Sequence, residues 1–177
     1  MIRLLFHTQE HRSFSNKLTL AIKCTRDDAW LGEGYYFWYD ENDAHRWGQT
    51  SKKKYGFYDI YQANVNCENI LDTVFNEEHY KFWIRQIEKV ATIILKRTGE
   101  KPTLKEINEY FLERGTWDNL TGIMFQDLPT NADLLMVKPI QGKNNKQTTF
   151  VYKKRIQLVV YDKAIIANFA HKLTMPC

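Results

Sequence analysis

Cysteine is scarce in this chain, and the three it has, Cys24, Cys67 and Cys177, are odd in number and never stand in C-x-x-C spacing. That argues against a disulfide framework and gives no basis for a metal site, so free thiols in a reducing compartment are expected. Long hydrophobic runs are missing too: none approaches the roughly 18 residues that would span a bilayer. The opening Met1-Ile2-Arg3-Leu4 lacks the architecture of a secretory leader, so the chain reads as soluble and cytoplasmic, with no membrane partner. Several enzyme signatures are likewise absent. There is no Walker loop, no Rossmann G-x-G-x-x-G, no H-E-x-x-H and no serine-nucleophile motif, which disfavours those classes. No internal repeat and no low-complexity tract breaks the chain.

What is there suits a globular domain. The 177 residues fit one domain, 1–177, able to bury a real core, and 44% hydrophobic with 14% aromatic content argues against disorder. The 25 Lys and Arg against 21 Asp and Glu leave a net charge of +4. This mild excess suits a phosphate-bearing ligand without requiring a nucleic acid.

Ile2 to His7 reads as a short buried strand, and residues 17–23 stay undecided. After Gly32 and Gly34 an aromatic strand is expected, then a helix over 40–47 capped by Asp40, with Glu41 and Asp43 in its first turn. Tyr55 to Asn66 alternates apolar and polar residues at the period of a half-buried strand. Tyr80, Trp83, Ile84, Ile87, Ala91 and Ile94 then recur at helical spacing, behind Asn76-Glu77-Glu78 as a start and ahead of Gly99 as a stop. Thr103-Leu104-Lys105-Glu106 is a capping box opening a second helix, with Leu104, Ile107, Tyr110 and Phe111 on one face and Gly115 as terminator. The pair forms a helical insertion at about 77–115. Leu120 to Phe125 and Leu134 to Lys138 are short strand candidates, Gln141 to Thr149 reads as a mobile cationic loop, and Tyr152 to Tyr161 as the last strand. On that strand Ile156, Leu158 and Val160 share one face, while Gln157 and Val159 take the other. Strands with segregated helices make the class α+β.

Three segments stand out chemically. Leu4-Leu5-Phe6-His7-Thr8 ends a strand in an imidazole. Gly32-Glu33-Gly34-Tyr35-Tyr36-Phe37 is a G-x-G turn before an aromatic strand, where a glycine lets the backbone come close to a flat ligand. Ile156-Gln157-Leu158-Val159-Val160-Tyr161-Asp162 sets a carboxamide among aliphatic residues, and a buried amide must be hydrogen-bonded to something. Each has a plain structural reading as well: His7 as a satisfied strand-end histidine, Tyr36 as core, Trp47 as a helix cover, Gln157 as a partner of neighbouring backbone.

Taken together and in order, the three segments resemble the ADP-ribosyltransferase fold family. The resemblance is to the poly(ADP-ribose) polymerase-like branch with its His, Tyr, Glu signature, and to small bacterial members in which a W-L-G-x-G-x-Y-F-W segment and a late I-Q-I strand recur. It implies a split β-sheet core and NAD as substrate, without a metal. It implies that His7 contacts the ribose on the adenosine side and that the backbone of Thr8 binds the nicotinamide amide. Gly34 would lie against the cofactor, Tyr36 and Trp47 would form the two aromatic walls around nicotinamide, and Gln157 would occupy the place of the catalytic glutamate. Thr8 stands where the family has glycine, and Ala44 where it has a serine near the amide. Gln157 can hold a ribose hydroxyl but supplies no negative charge. A unit charge about 5 Å from the departing cation is worth roughly 3 kcal/mol at an effective dielectric near 20, or about a hundredfold in rate.

The activity implied is therefore slow mono-ADP-ribosylation of a macromolecular acceptor, protein or nucleic acid, by a bacterial toxin or defence effector; polymer synthesis is not expected. Two rivals are a catalytically silent domain binding NAD, ADP-ribose or nucleic acid, and a protein that binds a partner such as an antitoxin through its helical insertion. Lys52-Lys53-Lys54 and the set Lys143, Lys146, Lys153, Lys154 and Arg155 are cationic clusters flanking the expected pocket. They read either as solvated surface or as contacts to a pyrophosphate or a nucleic acid.

Overall fold

Alternation of apolar and polar residues marks Phe57–Asn66, next to the edge of the sheet, whereas the middle strands Tyr35–Trp38 and Ile156–Val160 are nearly continuous apolar runs. The computed structural model describes residues 1–13, 17–26, 29, 31–116, 119–127, 137–141, 147–151 and 155–177, with backbone only for 137–141 and 147–151. Its strands are β1 (Ile2–Glu10), β2 (Tyr35–Trp38), β3 (Phe57–Asn66), β4 (Ile70–Asp72), β5 (Gly122–Gln126), β6 (Val137–Gln141), β7 (Gln147–Val151), β8 (Ile156–Val160) and β9 (Ile166–Pro176). Its helices are α1 (Glu41–Ser51), α2 (Glu77–Thr98) and α3 (Leu104–Glu113). Seven strands form one mixed sheet in the order β4-β5-β8-β2-β1-β3-β9, and β6 pairs with β7 in a separate ribbon. The class is α+β. Among the described residues no helix is long and apolar enough to cross a membrane.

The helices begin and end where local chemistry satisfies their terminal backbone groups. Asp40 caps α1 by accepting from the Asn42 N–H at 2.7 Å. Asn76 caps α2 by accepting from the N–H groups of Glu78 and His79, and Gly99, at φ +79°, closes it in the left-handed conformation that glycine adopts without strain. Thr103 and Glu106 make the reciprocal capping box of α3. The two helices connect β4 to β5, the one parallel pair in the sheet, so the insertion is the crossover that parallel strands require. On α2, Trp83 and Val90 are buried and Ile84, Ile87, Ala91 and Ile94 pack in the same core, whereas Tyr80, in the first turn at the N-terminal end of the expected stripe, is exposed.

Other boundaries move for physical reasons. The strand expected from Tyr55 starts at Phe57, because Lys53–Tyr55 make a 3-10 turn that Gly56 ends at φ +73°. Of the segment expected as a loop, Gln141 to Thr149, the first residue ends β6 and Gln147 to Thr149 open strand β7, whose β-branched and aromatic run pairs antiparallel with β6, while 142–146 lie outside the described residues. The strand candidate at 134–138 is described from Val137 onward, and the one at 152–161 is described as Ile156–Val160, since 134–136 and 152–154 lie outside the described residues. It is also not the last strand. β9 follows it as the sheet's edge, half-exposed along its length and bulged against β3 around Ile60/Tyr61 and Gln62/Asn64, with Asn168 at φ +54°. Those bulges break the two-residue period that sequence reading relies on.

Directly opposite residues of antiparallel strands share a face, so the register assigns the cores. One face carries Phe6, Trp38 and Ile60 under α1, and Val159, Phe125 and Ile123 under α2 and α3. The other carries Leu5, Phe37, Leu158, Val160 and Met124. Gly122 has room for no side chain, because a Cβ would meet the Val159 carbonyl oxygen at 2.4 Å.

Two residues of the α2–α3 core carry buried polar atoms without a hydrogen-bond partner among the described residues: Trp83, at its indole Nε1, and Asn108 of α3, which is fully buried, at both its amide nitrogen and its carbonyl oxygen. An unsatisfied buried amide destabilises the fold, and leucine has nearly its volume. Asn108→Leu is expected to stabilise the protein by about 1–2 kcal/mol, read as a shift of the urea midpoint at constant slope; a lower midpoint would contradict this account of Asn108.

Candidate active site

Strand β1 is laddered to β3 from Ile2 opposite Asn66 to Glu10 opposite Tyr58, but it meets β2 only at Phe6 opposite Trp38. Beyond that pair the two strands part. His7 bridges the opening: its Nδ1 lies 2.9 Å from the backbone oxygen of Tyr36. A carbonyl only accepts, so Nδ1 carries the proton and Nε2 holds a lone pair, onto which the Gln9 amide donates at 3.1 Å. The imidazole is 4% exposed and flanked by the rings of Phe37 and Phe169 at 5.5 and 5.8 Å. Burial lowers its pKa from 6.5 to about 4, so it is neutral at physiological pH.

A cleft of about 350 Å³ opens at this parting. His7, Thr8, Tyr36, Trp47 and Gln157, five of the residues singled out in the sequence, all line it. Tyr36 is held by its phenol, which donates to the Gly32 oxygen at 2.8 Å. Trp47, projecting from α1, packs against Trp38 with ring centroids 5.9 Å apart. The Thr8 hydroxyl donates to the backbone oxygen of Ala44 at 2.9 Å, and Ala44 is itself fully buried. Gln157 is 8% exposed, and among the described residues its carboxamide has no hydrogen-bond partner.

Gly34 does not line the cleft. Its missing side chain is required by the protein itself, since a Cβ would stand 2.5 Å from Val159 Cγ2 and 3.0 Å from the Val160 oxygen. The G-x-G turn works structurally: Gly32 takes φ +81°, Gly34 exchanges backbone hydrogen bonds with Cys24, and the Tyr161 hydroxyl donates to the Leu31 oxygen at 3.1 Å. The pairing with Cys24 draws residues 22–26 over the cleft as one wall.

The cations divide. Lys52 lines the cleft and lies 3.4 Å from Glu10, whereas Lys54 sits over the Tyr55 ring. Arg155 forms an ion pair with Asp127 at 2.9 Å and lies over Trp38 at 4.9 Å. Lys143, Lys146, Lys153 and Lys154 lie outside the described residues. Lys23, paired with Glu33 at 2.8 Å, and Arg26 are cleft residues that sequence reading passed over, as are Gln9, Trp38 and Asp127. Nothing local marks them; each enters through strand register or through the Cys24–Gly34 bridge. Three cations and a single carboxylic acid stand among its lining residues, with Lys52 and Lys23 each beside a glutamate outside the lining.

Cys24, Cys67 and Cys177 are free thiols. Among the described residues no cluster of three or more His, Cys, Asp or Glu side chains could hold a metal ion. No family model, no curated protein and no solved structure matches this chain.

The depressed pKa of His7 couples stability to pH. Between its ordinary value of 6.5 and about 4 the unfolded chain binds a proton that the native protein does not, so stability falls as pH falls through that window. His7 is expected to contribute a loss of about 2 kcal/mol between pH 7.5 and pH 5. Urea unfolding of the parent and of His7→Gln at both pH values measures it. Equal losses in the two proteins would show that His7 is not the group responsible.

Proposed function

We propose that this chain is an NAD-dependent mono-ADP-ribosyltransferase built on the ADP-ribosyltransferase fold. One observation carries the reading: Gln157, whose carboxamide lines the cleft without a hydrogen-bond partner among the described residues, shares that one cleft with His7, Tyr36 and Trp47. A carboxamide presented to a cleft in this way is free to hydrogen-bond a ligand.

In this reading His7 uses the Nε2 lone pair to accept from a hydroxyl of the adenosine ribose, displacing the Gln9 amide that occupies it in the free protein. Tyr36 and Trp47 stack on nicotinamide. Lys52, Lys23 and Arg26 hold the pyrophosphate. Gln157 binds the 2′-hydroxyl of the reacting ribose and fixes C1′ for attack by an acceptor on a protein or nucleic acid. Positioning in a site screened from water supplies the rate that a missing glutamate would otherwise add. Such an activity suits a bacterial toxin or defence effector.

A second reading, a silent domain that binds NAD or ADP-ribose as a sensor, draws support from Ala44, which offers no hydroxyl to the nicotinamide amide, and from the neutrality of Gln157. The two separate in one experiment. Purified protein is incubated with a cell lysate and NAD labelled on its adenylate half, while nicotinamide release and NAD binding are followed. Transfer of label is expected, and Gln157→Ala is expected to slow it about tenfold, the worth of one hydrogen bond in the transition state. Binding without release selects the sensor; neither binding nor release rejects both.

A further inference from the structure

Gln157 can neither accept a proton nor carry charge, so any protein base that takes the acceptor's proton must be another residue of the cleft. Among the described residues lining the cleft Asp127 is the only carboxylic acid. It follows β5, where Phe125 stands opposite Gln157, and its N–H donates to the Arg155 oxygen at 2.9 Å, continuing the ladder by one step. Residues two apart on a strand face the same way. Asp127 is therefore the diagonal neighbour of Gln157 across two strands, at about 7 Å.

Its orientation is fixed. Arg155 Nη2 holds Oδ2 at 2.9 Å, and the guanidinium is itself laid over Trp38 at 4.9 Å. Oδ1 has no hydrogen-bond partner among the described residues. The side chain is 21% exposed, enough to meet a substrate.

We propose that Asp127 is the general base of the transfer, with Arg155 as its positioning residue, an inference that rests on the NAD reading above. The bond between ribose C1′ and the nicotinamide nitrogen breaks with its electron pair leaving on nicotinamide. A lone pair of the acceptor forms the new bond to C1′, and the acceptor's proton passes to Asp127 Oδ1 and then to solvent. NAD and acceptor thus yield ADP-ribosyl acceptor, nicotinamide and one proton. Burial raises the Asp127 pKa, Arg155 opposes the rise and Asp43 of α1 adds to it, which makes the carboxylate a stronger base than one in water. Lys52, Lys23, Arg26, Cys24, Tyr36 and neutral His7 are the other ionisable groups that line the cleft with it.

Water serves as acceptor in the test, so no macromolecular target is needed. Nicotinamide release from NAD is followed against pH for the parent, Asp127→Asn and Asp127→Glu, with NAD binding measured by calorimetry. Asp127→Asn is expected to bind NAD within about threefold of the parent, to release nicotinamide at least about a hundredfold more slowly, and to lose the acid limb of the kcat/KM profile. Asp127→Glu is expected to keep the limb, displaced, at an intermediate rate. Release by Asp127→Asn within threefold of the parent, or loss of its rate in parallel with loss of binding, would overturn the assignment while leaving the NAD reading intact. Should Asp127→Asn fail to fold, Asp127→Glu decides: a displaced limb supports the base, and an unchanged profile refutes it. A parent that neither binds NAD nor releases nicotinamide removes the NAD reading and this one with it.

Discussion

The hydrogen bond from His7 Nδ1 to the Tyr36 oxygen is the interaction on which the rest of the cleft depends. Two strands that pair fully leave no room between them for a ligand, and two that separate leave backbone groups to be satisfied. His7 resolves this with its side chain, holding β2 at the width of an imidazole from β1 once the pairing at Phe6 and Trp38 ends. The same bond fixes the tautomer, so it determines that the second ring nitrogen presents a lone pair. The opening takes residues from both faces of the sheet: Thr8, Trp38 and Gln157 lie on the face of α1 and the α2–α3 pair, and His7 on the face of Leu5 and Phe37.

A second constraint holds the outer strands and the segment leaving β1. Asp59, fully buried on β3, accepts from Lys17 Nζ and from the Thr174 hydroxyl, each at 2.6 Å, from the Arg12 N–H at 2.9 Å, and lies 3.1 Å from His11 Nδ1. These donors hold its carboxyl well below the usual range against the opposing effect of burial. A buried charge satisfied this fully is specific about its partners. It fastens the segment after β1 and the far end of β9 to the start of β3, and so fixes where the chain departs toward the wall that begins near Ile22.

What could be read beforehand followed from local chemistry. The caps at Asn76, Thr103 and Gly99 are short-range signals, and they marked α2 and α3 closely. His7, Tyr36 and Gln157 were legible because each sits in a segment whose neighbours constrain it. Asp127 was not, for nothing around it distinguishes it from any aspartate after a strand; only its register against Arg155 gives it a place beside Gln157. Gly34 was legible as necessary but for a different reason, since Val159, far away in sequence, occupies the space a side chain would need. β9 escaped because its bulges and exposed edge erase the alternation that revealed β3.

Gln157 and Asp127 also explain each other. Were residue 157 a glutamate, two carboxylates would lie diagonally adjacent in the cleft, and ionising both would be opposed by mutual repulsion and by burial. An amide at 157 removes that conflict: it keeps the capacity to bind a hydroxyl, and it leaves Asp127 with Arg155 to itself. On the NAD reading, the neutral residue on β8 and the charged one after β5 would divide between them two tasks, binding and charge, that the family assigns to a single carboxylate.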